Sequence, residues 1–205
     1  MKRGSLYTLG YAAVLGLVCA LILSAVDGFT ATRKAANARA EEVRNILAVL
    51  DVPVEAGAEP QELLRVFEEN VVEEERGTRA FYSYEHPVEG LLRAVRFAGP
   101  GLWGPVEGFL CFEEDMRTIF AVTFYRQEET PGLGGEISSS AFTDQFEGLS
   151  AVGPDGSPGI RVVGDGADDI NEVDAISGAT MTSDKVEDML NRTLEEMIGR
   201  DGFDG

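Results

Sequence analysis

Residues 174–183, in the sequence DAISGATMTS, contain the side chains that are the best candidates for chemistry. They combine hydroxyl groups, one glycine and one carboxylate directly ahead of an amphipathic pattern over residues 186–197 that predicts a helix. The first turn of a helix offers free N–H groups and the positive end of the helix dipole, and small residues let a phosphate lie against the backbone. The segment therefore predicts an anion site. The alternative, a hydroxyl-rich helix cap, explains Thr182 and Ser183 but not the residues before them.

The expected start of this helix follows from the same segment. We predict that it begins after Thr182 and Ser183, with Ser183 or Asp184 as the capping residue, because Asp184 and Glu187 have the spacing of a capping box. The oxygens of Thr182 and Ser183 are then needed for backbone N–H groups, which leaves Thr180 as the hydroxyl available for chemistry.

Two further glycine-bearing segments have both a ligand interpretation and an ordinary one. Residues 129–136 read ETPGLGGE, where Pro-Gly is typical of a type II turn and three glycines in four residues let the backbone approach a ligand closely. A surface hairpin loop is the alternative. Residues 99–104 read GPGLWG and match the letters of a dinucleotide-binding loop, but Pro105 and a predicted strand follow instead of the required helix. We predict a tight turn there, with Trp103 exposed and able to line a planar ligand.

Other catalytic chemistries have little support. The chain has two cysteines, Cys19 and Cys111, and one histidine, His86, which are too few for a Cys/His zinc site or a disulfide framework. A Ser-His-Asp triad would need His86, which lies in a YEHP segment that predicts a turn. We interpret His86 as an exposed loop histidine.

The elements that must position these segments indicate an α+β fold. Helices are predicted over residues 31–50, from Pro60, where a proline suits a first helical position, and after Ser183. Short β-branched and aromatic runs, punctuated by Gly and Pro, predict strands at residues 79–84, 91–97, 109–112, 118–125 and 159–163. Local strands enclosed by helices favour a mostly antiparallel sheet flanked by helices.

The N-terminal segment predicts a single transmembrane anchor. Residues 6–26 contain no charged side chain, and 21 residues at about 1.5 Å each cross a hydrocarbon core of about 30 Å. A cleaved signal peptide is the alternative, since Lys2 and Arg3 precede the run, but the apolar stretch exceeds a typical signal and we predict a retained helix. Basic residues on both sides weaken the charge rule for orientation; we expect the body of the chain outside the cytoplasm.

The charge distribution disfavours a nucleic-acid partner. The formal net charge is −19 at pH 7. Residues 1–50 hold six Lys or Arg against three Asp or Glu, net +3, which leaves 11 against 33, net −22, for residues 51–205. Phosphate neutralisation requires clustered Lys and Arg, which the acidic body of the chain lacks.

Residues 174–183 resemble the flavinylation motif of the FMN-binding domain family. The residues that carry the resemblance are Ser177-Gly178-Ala179-Thr180, with Asp174 ahead of them and Thr182-Ser183 behind. Residues 129–134, ETPGLG, resemble the family's second signature, a loop near the isoalloxazine ring, and residues 101–103 resemble a weaker third. The three segments occur in the family's order, and an N-terminal membrane helix is likewise a feature of the family.

The resemblance implies a covalent FMN, joined to Thr180 through a phosphoester. Gly178 and Ala179 would give access to Thr180, and Asp174 would orient the loop or recruit a cation during modification. The full set of implied FMN contacts is Thr180, Ser177, Gly178, Ala179 and Asp174 at the attachment point, and Thr130, Gly132, Leu133 and Trp103 near the ring. No metal ligand and no catalytic acid or base is implied, because the flavin supplies the electron chemistry.

The resemblance further implies an electron-carrying flavoprotein subunit of a membrane-bound, ion-translocating NADH:quinone or ferredoxin:NAD oxidoreductase. Its partners would be the other subunits of that complex, membrane lipid and a flavin transferase, in the bacterial inner membrane. The alternative is a stand-alone, membrane-tethered binding module that uses its glycine-rich loops for a non-redox ligand. The expected organisation is a cytoplasmic start with the anchor (1–30), a helical connector packed on the domain (31–78), an FMN-binding domain (79–200) and a tail (201–205).

Overall fold

A computed structural model of the chain describes residues 3–76 and 79–201, without the side chains of residues 3–6, 32, 76 and 198–201. The chain divides into two compact units, Met1–Glu42 and Val43–Gly205. Lys2 and most of the predicted tail, residues 202–205, lie outside the described residues.

Helix α1 (Arg3–Val49) begins in the first unit and ends in the second. Its segment Tyr7–Ala31 is long and apolar enough to cross a membrane, judged by length and composition. The sequence predicted two helices here, over 6–26 and 31–50, but they form one, because the intervening DGFT has no proline to end a helix.

The second unit contains a five-stranded sheet and a separate two-stranded one. Strands β1 to β5 are antiparallel and lie in sequence order, whereas β6 and β7 pair in parallel. The strands are β1 (Val72–Arg76), β2 (Arg79–His86), β3 (Gly90–Pro100), β4 (Pro105–Phe112), β5 (Ile119–Arg126), β6 (Arg161–Val163) and β7 (Glu172–Asp174). The helices are α2 (Pro60–Asn70), α3 (Ser140–Thr143) and α4 (Thr180–Asp201), with 3₁₀ turns at Gly134–Ser138 and Asp144–Phe146. The predicted α+β class and the mostly antiparallel sheet are confirmed.

Helices cover both faces of the five-stranded sheet. Helix α4 packs on β3, and its apolar face joins the main core, which includes Val186, Met189, Leu190 and Leu194 of α4 with Phe97, Leu110 and Phe124 of the sheet. On the other face the ring of Phe67 in α2 contacts Tyr82, whose ring contacts Phe109. The inner strand β4 is therefore buried along most of its length, and burial on both faces favours a continuous apolar run over an alternating one.

Two strands were not predicted. Strand β1 reads VEEER and ends the segment that we expected to be a helical connector; it pairs with β2 at the edge of the sheet. Its three consecutive glutamates suit an exposed edge, where charge discourages pairing with another chain, but they hide the strand from a hydrophobicity pattern. Strand β7 is only three residues long, which is too short for a recognisable alternation of residues. It is defined by its pairing with β6.

His86 is not the exposed loop residue that the sequence predicted. It ends β2, where pairing with Gly90 extends the strand beyond the local turn signal, and only 11% of its side chain is exposed. Its Nδ1 accepts the backbone N–H groups of Val88 and Glu89 at 3.3 and 3.0 Å, and its Nε2 lies 3.5 Å from a carboxylate oxygen of Asp51. The imidazole thus stabilises the β2–β3 turn by accepting two of its N–H groups.

A carboxylate on β4 joins three strands of the sheet. Glu107 accepts hydrogen bonds from the guanidinium of Arg96 on β3, from Arg126 on β5 at 2.8 Å and from the Tyr125 hydroxyl at 2.9 Å. Burial alone would raise the pKa of Glu107, but the hydrogen bonds from Arg96 and Tyr125 hold that pKa below its usual value. Burial and the neighbouring carboxylate raise the pKa of Tyr125 to about 12, so its hydroxyl remains a donor at neutral pH.

This cluster predicts a contribution to stability that depends on acid pH. Because the folded-state pKa of Glu107 lies below the unfolded value of about 4.3, the contribution is present above that value and is lost as the pH falls through the folded-state pKa. We expect Glu107→Gln to lower the free energy of unfolding by about 1 kcal/mol at pH 7, since its arginine partners are half exposed and can be solvated.

Denaturant unfolding between pH 7 and pH 3 measures this effect. The difference between wild type and Glu107→Gln should narrow as the pH falls, and Glu147→Gln, at an exposed glutamate, should match wild type throughout. A difference that stays constant down to pH 3 would show that the charge of Glu107 is not what stabilises the sheet.

Candidate functional site

The segment 177–180 leads into α4, with Ser177, Gly178 and Thr180 exposed and Ala179 buried. Thr180 is the first residue of the helix, and the carbonyl of Ala179 accepts the N–H groups of Thr182 and Ser183, both at 3.0 Å. The predicted helix start after Ser183 is therefore wrong, and so is the predicted capping box, because Glu187 accepts the N–H of Val162 instead. Thr180 consequently lies nearer the positive end of the helix dipole than the sequence indicated.

The hydroxyl groups of this segment differ sharply in exposure and partners. Thr182 is 2% exposed and its hydroxyl donates to Oε2 of Glu129 at 2.6 Å, while the buried Ser183 hydroxyl accepts the N–H of Ile176 at 3.3 Å. Thr180 is exposed, and its hydroxyl has no hydrogen-bond partner within the described part of the chain. Ser177 is also exposed, but it precedes the helix. Thr180 is thus the hydroxyl at the helix N-terminus that is free to react.

The GPGLWG segment forms the predicted tight turn, between β3 and β4. The N–H of Gly101 donates to the carbonyl of Gly104 at 2.7 Å, and no helix follows, since β4 begins at Pro105. The N–H groups of Leu102 and Trp103 donate to Oε1 of Glu129, at 2.7 and 3.1 Å. The turn and the loop after β5 are therefore joined through one carboxylate.

The loop after β5 is a compact turn beside the α4 segment. The carbonyl of Thr130 accepts the N–H groups of Leu133 and Gly135 at 3.1 and 3.0 Å, and Gly132 has a φ of +74°, which favours glycine. Gly178 also has a positive φ, +76°, and a β-carbon there would lie 3.2 Å from Cδ2 of Leu133. Leu133 therefore lies directly against the segment that ends in Thr180.

The 101–104 turn, the 129–135 loop and the first turn of α4 expose apolar side chains. Trp103 is 70% exposed and Leu133 43%, and Leu102 and Met181 are also exposed. We call these four residues the apolar rim. A group of exposed apolar side chains is a common feature of binding surfaces.

Asp174 does not join this group. Its carboxylate accepts the N–H of Ala167 at 2.8 Å, and its own N–H donates to the side chain of Gln145 at 2.7 Å. These bonds hold the loop between β6 and β7 in place. One oxygen of the Asp174 carboxylate is therefore engaged within this loop.

Glu129 is the residue of the site that the motif alone did not mark. It is only 6% exposed, and it bonds both the 101–104 turn and Thr182. In the sequence it appears as the first letter of ETPGLG, one acidic residue among 36. Its bonding partners lie 26 to 53 residues away along the chain, so no local spacing could have identified them.

One protein-family model matches the part of the chain that contains these segments. Residues 101–195 match the model of the FMN-binding domain, a range that includes the 101–104 turn, the 129–135 loop and the 177–180 segment. The matched range, a little under half of the chain, is thus similar to the FMN-binding domain family. The match begins at the turn that follows β3 and ends within α4.

The chain is similar to one subunit of an NADH-quinone reductase from several bacteria. The chain is 42% identical over 107 residues to the C subunit of the Na(+)-translocating NADH-quinone reductase of Vibrio alginolyticus, covering 51% of this chain and 40% of that protein. It is 25% identical over 236 residues to the same subunit of Vibrio campbellii, covering 93% of this chain and 90% of that protein. The crystal structure of the corresponding protein from Parabacteroides distasonis superposes with a TM-score of 0.69 at 26% identity, covering 80% of this chain and 93% of that one. The stronger sequence match thus spans less than half of its relative's length.

Proposed function

We propose that this chain is an electron-carrying flavoprotein subunit of a membrane-bound, Na⁺-translocating NADH:quinone oxidoreductase, with FMN attached to Thr180 through a phosphoester. The names of the relatives favour the quinone reductase over a ferredoxin:NAD enzyme. The other subunits of that complex and a flavin transferase are its proposed partners. When bound, FMN supplies electron transfer, which none of the protein's own side chains provides.

The exposed, unpartnered hydroxyl of Thr180 at the N-terminus of α4 is the observation that carries this proposal. The neighbouring Thr182 and Ser183 have their hydroxyls buried in hydrogen bonds, so neither can reach a phosphate without unfolding the helix start. A phosphodiester keeps one negative charge, which the first turn of a 22-residue helix stabilises by roughly 0.3–1 kcal/mol at an exposed site.

The surroundings of Thr180 fit the rest of an FMN. Gly178, which has no side chain, leaves the surface beside Leu133 open to a ribityl chain. Leu133 and Trp103 offer apolar surface to a planar ring, and Thr130 and Gly132 shape the turn that presents Leu133. In this arrangement the protein binds and orients the flavin and contributes no acid or base.

The direct test is peptide mapping of the full chain produced with and without a flavin transferase. We expect the tryptic peptide that contains Thr180 to gain the mass of one FMN less one water, only when the transferase is present. The protein should also keep a yellow colour after denaturation. Flavin located on Ser177, Thr182 or Ser183 would overturn the assignment of Thr180. A chain without any covalent flavin would instead favour the stand-alone binding module.

The apolar rim predicts changes in the flavin spectrum without loss of attachment. Leu133→Ala should leave FMN on Thr180 but shift its visible absorption, because an apolar contact near the ring is lost. Trp103→Ala should change the flavin fluorescence, because an indole close to the ring interacts with it. Absorption and fluorescence spectra of the labelled variants measure both effects.

Val88→Ala is the matched control, because Val88 is also exposed but lies in the β2–β3 turn, at the opposite end of β3 from Trp103. It should leave both spectra unchanged. If Leu133→Ala and Trp103→Ala also have wild-type spectra, the two loops are ordinary turns and the ring lies elsewhere.

We also propose that Tyr7–Ala31 is retained as a single-pass anchor, with the flavin domain outside the cytoplasm of the bacterial inner membrane. The purified protein should then keep Lys2 and Arg3 and should require detergent. A reporter fused after Gly205 should be active only outside the cytoplasm. A mature N-terminus at or beyond Val26 would contradict retention, and a reporter active in the cytoplasm would reverse the orientation.

A further inference from the structure

The carboxylate of Glu129 connects the parts of the candidate flavin site. Its Oε1 accepts the N–H groups of Leu102 and Trp103, and its Oε2 accepts the hydroxyl of Thr182. We propose, building on the proposed function, that Glu129 is a positioning residue: it holds the 101–104 turn, the 129–135 loop and the first turn of α4 together as one platform for the flavin ring.

The packing around Glu129 supports this role independently of its hydrogen bonds. A β-carbon on Gly101 would lie 2.5 Å from Oε1, and one on Gly134 would lie 2.8 Å from Oε2 and 2.5 Å from the Thr182 hydroxyl. Real β-carbons do not approach oxygens so closely, so a side chain at either position would displace the carboxylate or the Thr182 hydroxyl. The two glycines thus leave the space that this carboxylate and its bonds occupy.

Both oxygens of Glu129 accept hydrogen bonds, from two N–H groups and one O–H group, in a residue that is only 6% exposed. A buried polar group whose hydrogen bonds are satisfied rigidifies the structure around it. Such bonds suit a residue that must keep two surface loops rigid.

The segments that Glu129 joins are those that would meet the two ends of one FMN. Thr182 is two residues from Thr180 in α4, whereas Leu102 and Trp103 belong to the apolar rim, and Leu133 lies in Glu129's own loop. The carboxylate thus sets the position of the attachment point relative to the ring contacts. Residues that support a binding site in this way decide how tightly its geometry is held.

Amide hydrogen exchange of the full-length apoprotein in detergent tests the hydrogen bonds directly. Glu129→Met keeps the length of the side chain and removes both acceptors, so we expect the amides of Leu102 and Trp103 to exchange roughly tenfold faster or more. Glu129→Gln should restore most of the protection, because its carbonyl accepts both N–H groups while its NH₂ donates to the Thr182 hydroxyl. Glu147→Met, at an exposed site, is the control and should exchange as wild type does.

The flavin itself gives the second measurement, which a role in stability alone would not change. In folded, labelled Glu129→Met we expect a lower fluorescence anisotropy of the flavin than in wild type, since the ring is tethered but its platform is loose. Glu129→Gln should return the anisotropy towards the wild-type value. If Glu129→Met does not fold, Thr182→Val should lower the anisotropy and Thr182→Ser, which keeps the hydroxyl, should not.

The two proposals fail in distinguishable ways. A wild-type chain that takes no flavin on Thr180 would overturn the proposed function and the flavin part of this inference, while the amide exchange still decides whether Glu129 joins the loops. Labelled wild type together with unchanged amide exchange in Glu129→Met, or with unchanged flavin anisotropy in Glu129→Met or Thr182→Val, would overturn the role of Glu129 alone.

Discussion

Thr180→Ala is expected to abolish covalent FMN attachment and to leave the fold intact. The substitution removes the ester oxygen, and no other hydroxyl at the start of α4 is exposed, since Thr182 and Ser183 are buried in hydrogen bonds. Because Thr180 is exposed and its hydroxyl has no partner in the described residues, the free energy of unfolding should change by no more than about 0.5 kcal/mol. In-gel flavin fluorescence and intact mass measure attachment, and denaturant unfolding measures stability.

Two further variants define the chemistry of attachment. Thr180→Ser keeps the oxygen at the same position and should retain partial labelling. Thr182→Ala removes a hydroxyl two residues away and should leave the label on Thr180, although it breaks the bond to Glu129. Full labelling of Thr180→Ala would show that the flavin is carried elsewhere, and loss of its folded circular dichroism spectrum would contradict the expected independence of site and fold.

Gly108→Ala is expected to destabilise the domain more than the same substitution at Gly90 or Gly99, the other glycines of the five-stranded sheet. A β-carbon on Gly108 would lie 2.0 Å from the carbonyl oxygen of Thr123 and 2.2 Å from Cζ of Phe97. The Thr123 oxygen belongs to the backbone of the neighbouring strand, and the Phe97 ring is fully buried against Phe124. Neither the oxygen nor the ring can therefore move away without disturbing the sheet or the core. We expect a loss of about 3 kcal/mol, or roughly 6–12 °C in Tm.

Gly164→Ala is the matched control for this prediction. A β-carbon at Gly164 meets no atom within 4 Å, and its backbone is not in the left-handed region, so its stability should equal that of wild type. Thermal unfolding of the full chain in detergent measures both variants. A wild-type Tm for Gly108→Ala would mean that the bulge at Glu107 and Gly108 relaxes to admit a side chain.

Much of the fold is determined by short-range properties of the sequence. The β-branched and aromatic runs from Arg79 to Arg126 predict four strands because residue type and turn chemistry act over a few residues. The length and apolar composition of the N-terminal run are enough to predict a helix that could cross a membrane. The segment 177–180 could likewise be singled out, because small and hydroxyl residues ahead of an amphipathic helix are a local pattern.

Other features required the tertiary structure, because their cause is a distant part of the chain. Strand β1 is stabilised by pairing with β2, and His86 is buried by a strand extension that its local sequence does not signal. Helix α4 begins at Thr180 and not after Ser183. The Ser183 hydroxyl accepts the N–H of Ile176, and the Thr182 hydroxyl donates to Glu129, so neither hydroxyl caps the helix.

The roles of individual residues within the site also depend on contacts with distant parts of the chain. By sequence alone only the expected helix cap, which is wrong, separates Thr180 from Thr182 and Ser183, and Asp174 and Glu129 are two similar acids. The fold buries Thr182 against Glu129, turns Asp174 towards Ala167 and leaves Thr180 exposed. Residue type thus determined that a hydroxyl could carry a phosphate here, whereas burial and hydrogen bonding, which depend on contacts across more than 50 residues, decided which hydroxyl is free.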